Sequence, residues 1–175
     1  MRRIAVLLSI LMMSHLVSAS PEITVDLNLE RKLSDFDIGI NGGEISPNGD
    51  SVLIYGEDGY AHLLSASNAD DEATDIRLEK ETENSLNDAT WHPGGKSALI
   101  VGDDGTILRF NSTNYGLGEA EGSLAMAGID INSIHFTAGS SVAYLGTDTG
   151  QIWRYYADTF TLLNDEATSR ITDID

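Results

Sequence analysis

The strongest constraint on what this chain can fold into is a repeat of about 45 residues, held in register by three separate markers. One marker is a tight turn between apolar runs: Ile45-Ser46-Pro47-Asn48-Gly49 returns as Trp91-His92-Pro93-Gly94-Gly95 and, more loosely, as Phe136-Thr137-Ala138-Gly139-Ser140. The second is Gly56-Glu57-Asp58-Gly59, repeated as Gly102-Asp103-Asp104-Gly105 and as Gly146-Thr147-Asp148-Thr149-Gly150. The third is an apolar residue before asparagine, at Ile40-Asn41, Leu86-Asn87 and Ile131-Asn132. The asparagines lie 46 and then 45 residues apart, and the closing glycines of the second marker show the same two spacings. A period of this length belongs to stacked supersecondary units, each too small to bury its apolar face alone.

The segments between markers are too short for helices and are composed like strands. Ser51 to Tyr55, Ser97 to Val101 and Val142 to Leu145 are almost continuous apolar runs, as expected of strands covered on both faces. After each glycine-acid turn comes a mixed apolar and polar strand: Tyr60 to Leu64, Thr106 to Phe110 and Gln151 to Tyr155. Glycine with aspartate suits a tight hairpin, because both tolerate the positive φ it requires. First strands run from each asparagine to the residue before the next turn. Ile76-Arg77-Leu78-Glu79 alternates as an outer fourth strand should, and Ser123 to Ala127 is a weaker candidate for the same role. Ser67 to Thr74 and Asn111 to Glu121 read as exposed polar connectors. The expected fold is therefore all-β, a β-propeller of about three four-stranded blades. Propellers close with four to eight blades, so the ring is expected to be incomplete.

At these residues the chain resembles the WD-repeat-like and TolB-like β-propellers, whose repeats carry a Ser-Pro-Asp-Gly turn, an apolar strand and an Asp-Gly turn. The resemblance spans about Ile40 to Tyr156 and assigns no subfamily. The Trp-Asp dipeptide is missing, its place being held by Leu64-Ser65, Phe110-Asn111 and Tyr155-Tyr156. Asp148-Thr149-Gly150-Gln151-Ile152-Trp153 is similar to part of the Asp-box of sialidase-type propellers but lacks its leading serine.

The expected layout is a signal peptide over residues 1–19, an N-terminal outer strand and connector over 20–39, repeats over 40–85, 86–130 and 131–170, and the start of a fourth repeat over 171–175. Arg2 and Arg3 precede a short apolar core, Ile4 to Val17, and Val17-Ser18-Ala19 offers small side chains to a peptidase, so cleavage is expected after Ala19. The core is shorter than a spanning helix and is interrupted by Ser9, Ser14 and His15, which argues for a cleaved signal over an uncleaved anchor, so no membrane insertion is expected after cleavage. Within the outer-strand segment, Ile23 to Glu30 alternates without a break. With no cysteine there is neither a lipid anchor on sulfur nor a disulfide framework. The chain is expected outside the cytoplasmic membrane, as an extracellular, cell-surface or periplasmic protein.

All 28 acidic residues follow the signal, and the formal charge of the whole chain is −18. Such a surface repels phosphate backbones and anionic lipid heads, which argues against nucleic acid as a partner and against electrostatic membrane docking. No catalytic constellation stands out. His62, His92 and His135 occupy different repeat positions, no serine sits in a nucleophile elbow, and Asn68-Ala69-Asp70-Asp71-Glu72 lacks calcium-loop spacing. Asn41, Asn87 and Asn132 recur in every copy, which favours an architectural hydrogen bond over chemistry. Ile45, Trp91 and Phe136 share one repeat position and read as packing between blades. Asn111-Ser112-Thr113 makes Asn111 a glycosylation candidate.

These features imply a non-catalytic module for protein or ligand binding, or scaffolding, with no cofactor. Its binding face is expected on the rim formed by the second-to-third-strand turns, where Glu57, Asp58, Asp103, Asp104 and Asp148 make a negative surface for a protein or small ligand. Two other readings stand beside it: a fragment of a propeller enzyme (glycoside-active, quinone-dependent or lactonase-like) whose active site lies outside this chain, and a structural spacer in a larger surface protein. Open blade faces would also allow self-association.

Overall fold

Apolar runs separated by turns of fixed chemistry leave each repeat one way to satisfy its backbone, a four-stranded meander. The computed structural model, which describes residues 38–66 and 75–175, contains three of them. Blade 1 consists of β1 (Ile40–Ile45), β2 (Ser51–Gly56), β3 (Ala61–Ser65) and β4 (Ile76–Arg77). Blade 2 follows as β5 (Leu86–Trp91), β6 (Ser97–Gly102), β7 (Ile107–Asn111) and β8 (Gly116–Glu119). Blade 3 is β9 (Ile131–Phe136), β10 (Ala143–Thr147), β11 (Ile152–Tyr156) and β12 (Thr159–Asn164). Within each blade, neighbours in sequence are antiparallel neighbours in the sheet. The expected signal peptide and the alternating Ile23–Glu30 segment lie outside the described residues, as does the connector 67–74.

The turns behave as their composition demands. Asp58 and Gly59 both have positive φ (56° and 66°), as do Asp104 and Gly105 (54° and 73°), and the residue after each pair donates back to the residue before it, at Tyr60 N to Glu57 O and Thr106 N to Asp103 O. These are two-residue hairpin turns of the type whose twist matches paired strands. On the opposite rim, Gly49 and Gly95 close the first-to-second-strand turns through their amides to Ser46 O and His92 O.

Side chains from successive blades interleave in two apolar layers. Between blades 1 and 2 lie Leu53, Tyr55, Leu63, Leu86, Ala89, Trp91, Ile100 and Phe110. Between blades 2 and 3 lie Leu99, Val101, Ile107, Met126, Ile131, Phe136, Leu145, Trp153 and Tyr155. The asparagine marker is a clasp between blades. Asn41 Nδ2 donates to Leu86 O (2.8 Å), Asn87 Nδ2 to Ile131 O (3.1 Å) and Asn132 Nδ2 to Ile171 O (3.0 Å). Each asparagine thus holds the start of the segment that follows its own blade. Trp91 and Phe136 pack between blades, at 5 % and 6 % exposure, whereas Ile45 is 63 % exposed because no described residue faces it from the other side of blade 1.

Two strand expectations need correcting. Ser123 to Ala127 is not a strand: Ser123–Met126 is one turn of 3₁₀ helix whose Met126 is fully buried, started by Gly122 at φ 82°. The outer strand of blade 2 is Gly116–Glu119 instead, so Asn111 to Glu121 is not simply a connector. Two glycines in four residues disguise this strand, which pairs through its backbone with Leu108 to Asn111. Blade 3 acquires its fourth strand through a tight turn at Ala157 and Asp158, both at positive φ (48° and 58°) without any glycine.

Candidate functional site

The rim carrying the expected binding residues is built by two kinds of segment meeting edge to edge, the second-to-third-strand turns and the chain entering each first strand. Glu57 N donates to Gly39 O, Gly59 N to Asn84 O, Asp103 N to Ser85 O, Gly105 N to Ile129 O and Asp148 N to Asp130 O. Backbone bonds therefore fix the height at which every acidic side chain stands. Glu57, Asp58, Asp104 and Asp148 are exposed, and Asp103 is only partly so.

These carboxylates do not form one cluster, and their neighbours differ. Asp58 bonds Lys80 at 2.8 Å, and Lys80 also holds Glu83, so hydrogen bonding to Lys80 keeps the Asp58 carboxyl below its ordinary value. Asp103 Oδ1 accepts from Asn87 Nδ2 (2.8 Å), which joins the clasp between blades to the rim turn. Asp103, expected among the binding residues of the rim, thus also has a structural partner. Asp104 differs again. Its amide is anchored by Asp130 Oδ1 (2.9 Å), and the residue lines a cavity of about 300 Å³ together with Glu81 and Glu119. The floor is Ile107 and Leu108, and Leu124, 83 % exposed, stands at the edge. Among the described residues no cation pairs with Glu81, Asp104 or Glu119. Glu81 and Glu119 are the rim acids that the repeat pattern did not reveal, because they lie on segments outside its markers.

A second acidic feature, unread from sequence, lies where the first strands converge. Asp88 Oδ1 accepts from Tyr55 OH (3.0 Å) and from its neighbour Ala89 N (2.8 Å), and Oδ2 accepts from Ile134 N (2.8 Å). One carboxylate on blade 2 thus fastens blade 1 and blade 3. Burial raises the Asp88 carboxyl above its ordinary value, an effect its backbone donors oppose and Asp173 reinforces. Glu44, beside it, is raised by burial and then by the Asp88 charge, with His135 pulling the other way. Every oxygen of Asp88 is occupied by donors of this chain, so its role is architectural.

The histidines stay apart. His62 is buried against Tyr60 OH (2.9 Å), with Asp75 3.7 Å from its other nitrogen. His92 sits in a turn and His135 on β9. Among the described residues no three His, Asp or Glu side chains form a group able to hold a metal ion, and no helix is long and apolar enough to cross a membrane. Asn111 is exposed at the end of β7, its Oδ1 accepting from Thr113 N (2.9 Å). That bond occupies the carbonyl oxygen and not the amide nitrogen.

The architecture is that of a WD-repeat-like β-propeller. The WD40 repeats of RRP9 superpose with a TM-score of 0.59 at 11 % identity, over 75 % of this chain and 40 % of that one. U3-55K superposes with a TM-score of 0.60 at 12 % identity, over 76 % and 41 % respectively. The chain thus spans about two fifths of the length of these structures. At such identity the likeness is one of fold. The sequence matches no family model and no curated protein.

Proposed function

We propose that this chain is an exported, non-catalytic propeller module that binds a partner protein through its acidic rim, with the cavity at Asp104, Glu81 and Glu119 taking a lysine or arginine side chain. The observation that carries the reading is the company of those three acidic residues: they border one cavity that Ile107 and Leu108 also line, and no cation among the described residues pairs with them. A long basic side chain matches both parts, its methylenes against Ile107 and Leu108 and its charge among the acids. Repetition of the rim turn on three blades extends the surface with Glu57, Asp58 and Asp148. The net charge of −18 adds a long-range attraction for basic partners that speeds encounter and weakens with salt. Propellers host many functions, so the reading rests on this site and not on the fold.

The test uses a lysine-rich peptide as probe, with its glutamine-substituted counterpart as control. Asp104→Asn combined with Asp148→Asn changes two exposed positions and leaves the Asp103 clasp intact; asparagine also tolerates the positive φ at 104. Exposed charge pairs contribute on the order of 0.2–1 kcal/mol each, so the double variant should bind the lysine peptide about tenfold more weakly while melting within about 2 °C of the parent. Unchanged affinity in a folded double variant would remove the rim from the account. Export has its own check: N-terminal sequencing of the secreted protein should begin at Ser20, and a start at Met1 in a membrane fraction would contradict it.

A further inference from the structure

The two layers between blades are not equivalent at the rim opposite the acidic turns. In the first, Trp91 fills the space, with its ring edge-on to Phe110 (5.6 Å between centroids) and its indole N–H donating to Glu44 O (3.1 Å). In the second, the matching residue is the smaller Phe136, and Arg109 stands where blade 1 has Leu63. A cavity of about 480 Å³ opens beside them, bordered by Lys96, Asn111, Ser141 and Tyr155.

The polar groups on this cavity have a common polarity, which can be followed proton by proton. His92 Nδ1 accepts from Gly94 N (3.0 Å), so the imidazole proton sits on Nε2 and is donated to Ser141 Oγ (2.8 Å). Ser141 therefore keeps its own hydroxyl proton to give away. Asn111 has spent its carbonyl oxygen on Thr113 N, leaving its NH₂ as a donor. The one carboxylate present, Asp158, is engaged by Arg109 and by Tyr155 OH, and hydrogen bonding to Arg109 holds it below its ordinary value. Lys96 is exposed and has no ion pair among the described residues. Two of the six lysines and arginines among the described residues border this single cavity of a strongly acidic chain. These donors and the Lys96 ammonium share the cavity lining with the apolar Leu99 and Phe136.

We propose that this cavity between blades 2 and 3 is a binding site for a small carboxylate with an aromatic or aliphatic body. The carboxylate meets Lys96, Ser141 and Asn111, and the apolar body lies along Phe136. The site is on the opposite rim from the basic-partner surface and is independent of it. Because Asn111 borders the mouth, a glycan there would compete with the ligand for the same space.

Saturation-transfer NMR with phenylacetate, and with phenylacetamide as its neutral counterpart, tests the assignment on protein made in a host that does not glycosylate. Phenylacetate should receive saturation and phenylacetamide should not. Lys96→Gln should weaken phenylacetate at least fivefold and Lys96→Glu should abolish it; Ser141→Ala should weaken it at an unchanged amide spectrum. Equal saturation of the two probes, none for either, or binding indifferent to Lys96→Glu would overturn the site.

Discussion

Gly105→Ala should destabilise this protein by about 3 to 4 kcal/mol, whereas Gly139→Ala should cost about 1 to 2 kcal/mol. Both glycines have positive φ, 73° and 66°, so alanine is strained in either place. The difference lies in what surrounds them. A Cβ on Gly105 would stand 2.2 Å from Met126 O, on backbone that also holds the Gly105 amide through Ile129 O (2.8 Å). A Cβ on Gly139 would meet nothing within 4 Å. Gly59 repeats the crowded case, with Thr82 O 1.9 Å from the added carbon. These turns cannot give way, because the chain entering the next blade lies directly on them. For a chain of this size 1 kcal/mol moves the melting temperature by about 2–4 °C, so Gly105→Ala should melt roughly 10 °C below the parent. Equal losses for Gly105→Ala and Gly139→Ala would show that the rim contact does not form.

Asp88→Ala should cost about 3 kcal/mol, because it strands three donors at once: Tyr55 OH, Ala89 N and Ile134 N. The same residue sets a pH dependence. Burial raises the Asp88 carboxyl above 3.8 and the Glu44 carboxyl above 4.5, so the folded chain holds these protons more tightly than the unfolded chain. Their contribution to stability therefore falls as pH rises from about 4 through the two raised values, then levels off once both groups are ionised. Asp58 and Asp158 are shifted the other way, and what they contribute is lost as pH drops below their ordinary 3.8. Melting temperature against pH should thus peak in mild acid. Glu44→Gln removes one titrating group and leaves the Asp88 bridge intact, so it should reduce the fall on the neutral side of the peak. An identical profile in Glu44→Gln would exclude the Asp88–Glu44 pair as its cause.

What the sequence disclosed and what it concealed follow one physical line. Turns that need positive φ advertise themselves with Asp-Gly or Pro-Gly, and buried strands advertise themselves as apolar runs, so first, second and third strands were legible in all three repeats. Fourth strands are bound mainly through their backbones, with one wet face. Gly116–Glu119 could be hidden by its glycines, and Thr159–Asn164 by a turn, Ala157-Asp158, that reaches positive φ without glycine. In the candidate site, repetition revealed the acidic turns and the asparagine clasp, because both recur. Asp88 escaped notice because its positional equivalents are Gly42 and Ser133, and a bridge needs only one blade to supply it. The Lys96 cavity likewise comes from departures from the repeat, Phe136 for Trp91 and Arg109 for Leu63, whose consequence appears only when two blades are stacked.

The central claim is that the three repeats are blades stacked face to face, and it is tested most directly by nuclear Overhauser contacts across the two layers. Stacking predicts contacts from the Trp91 indole N–H to the backbone of Glu44 and from the Phe136 amide to the side chain of Thr90, whose Oγ1 is 3.2 Å from that nitrogen. Each contact joins residues more than 45 positions apart, on different sheets. A well-dispersed spectrum in which Trp91 and Phe136 show contacts only within their own repeats would contradict the account.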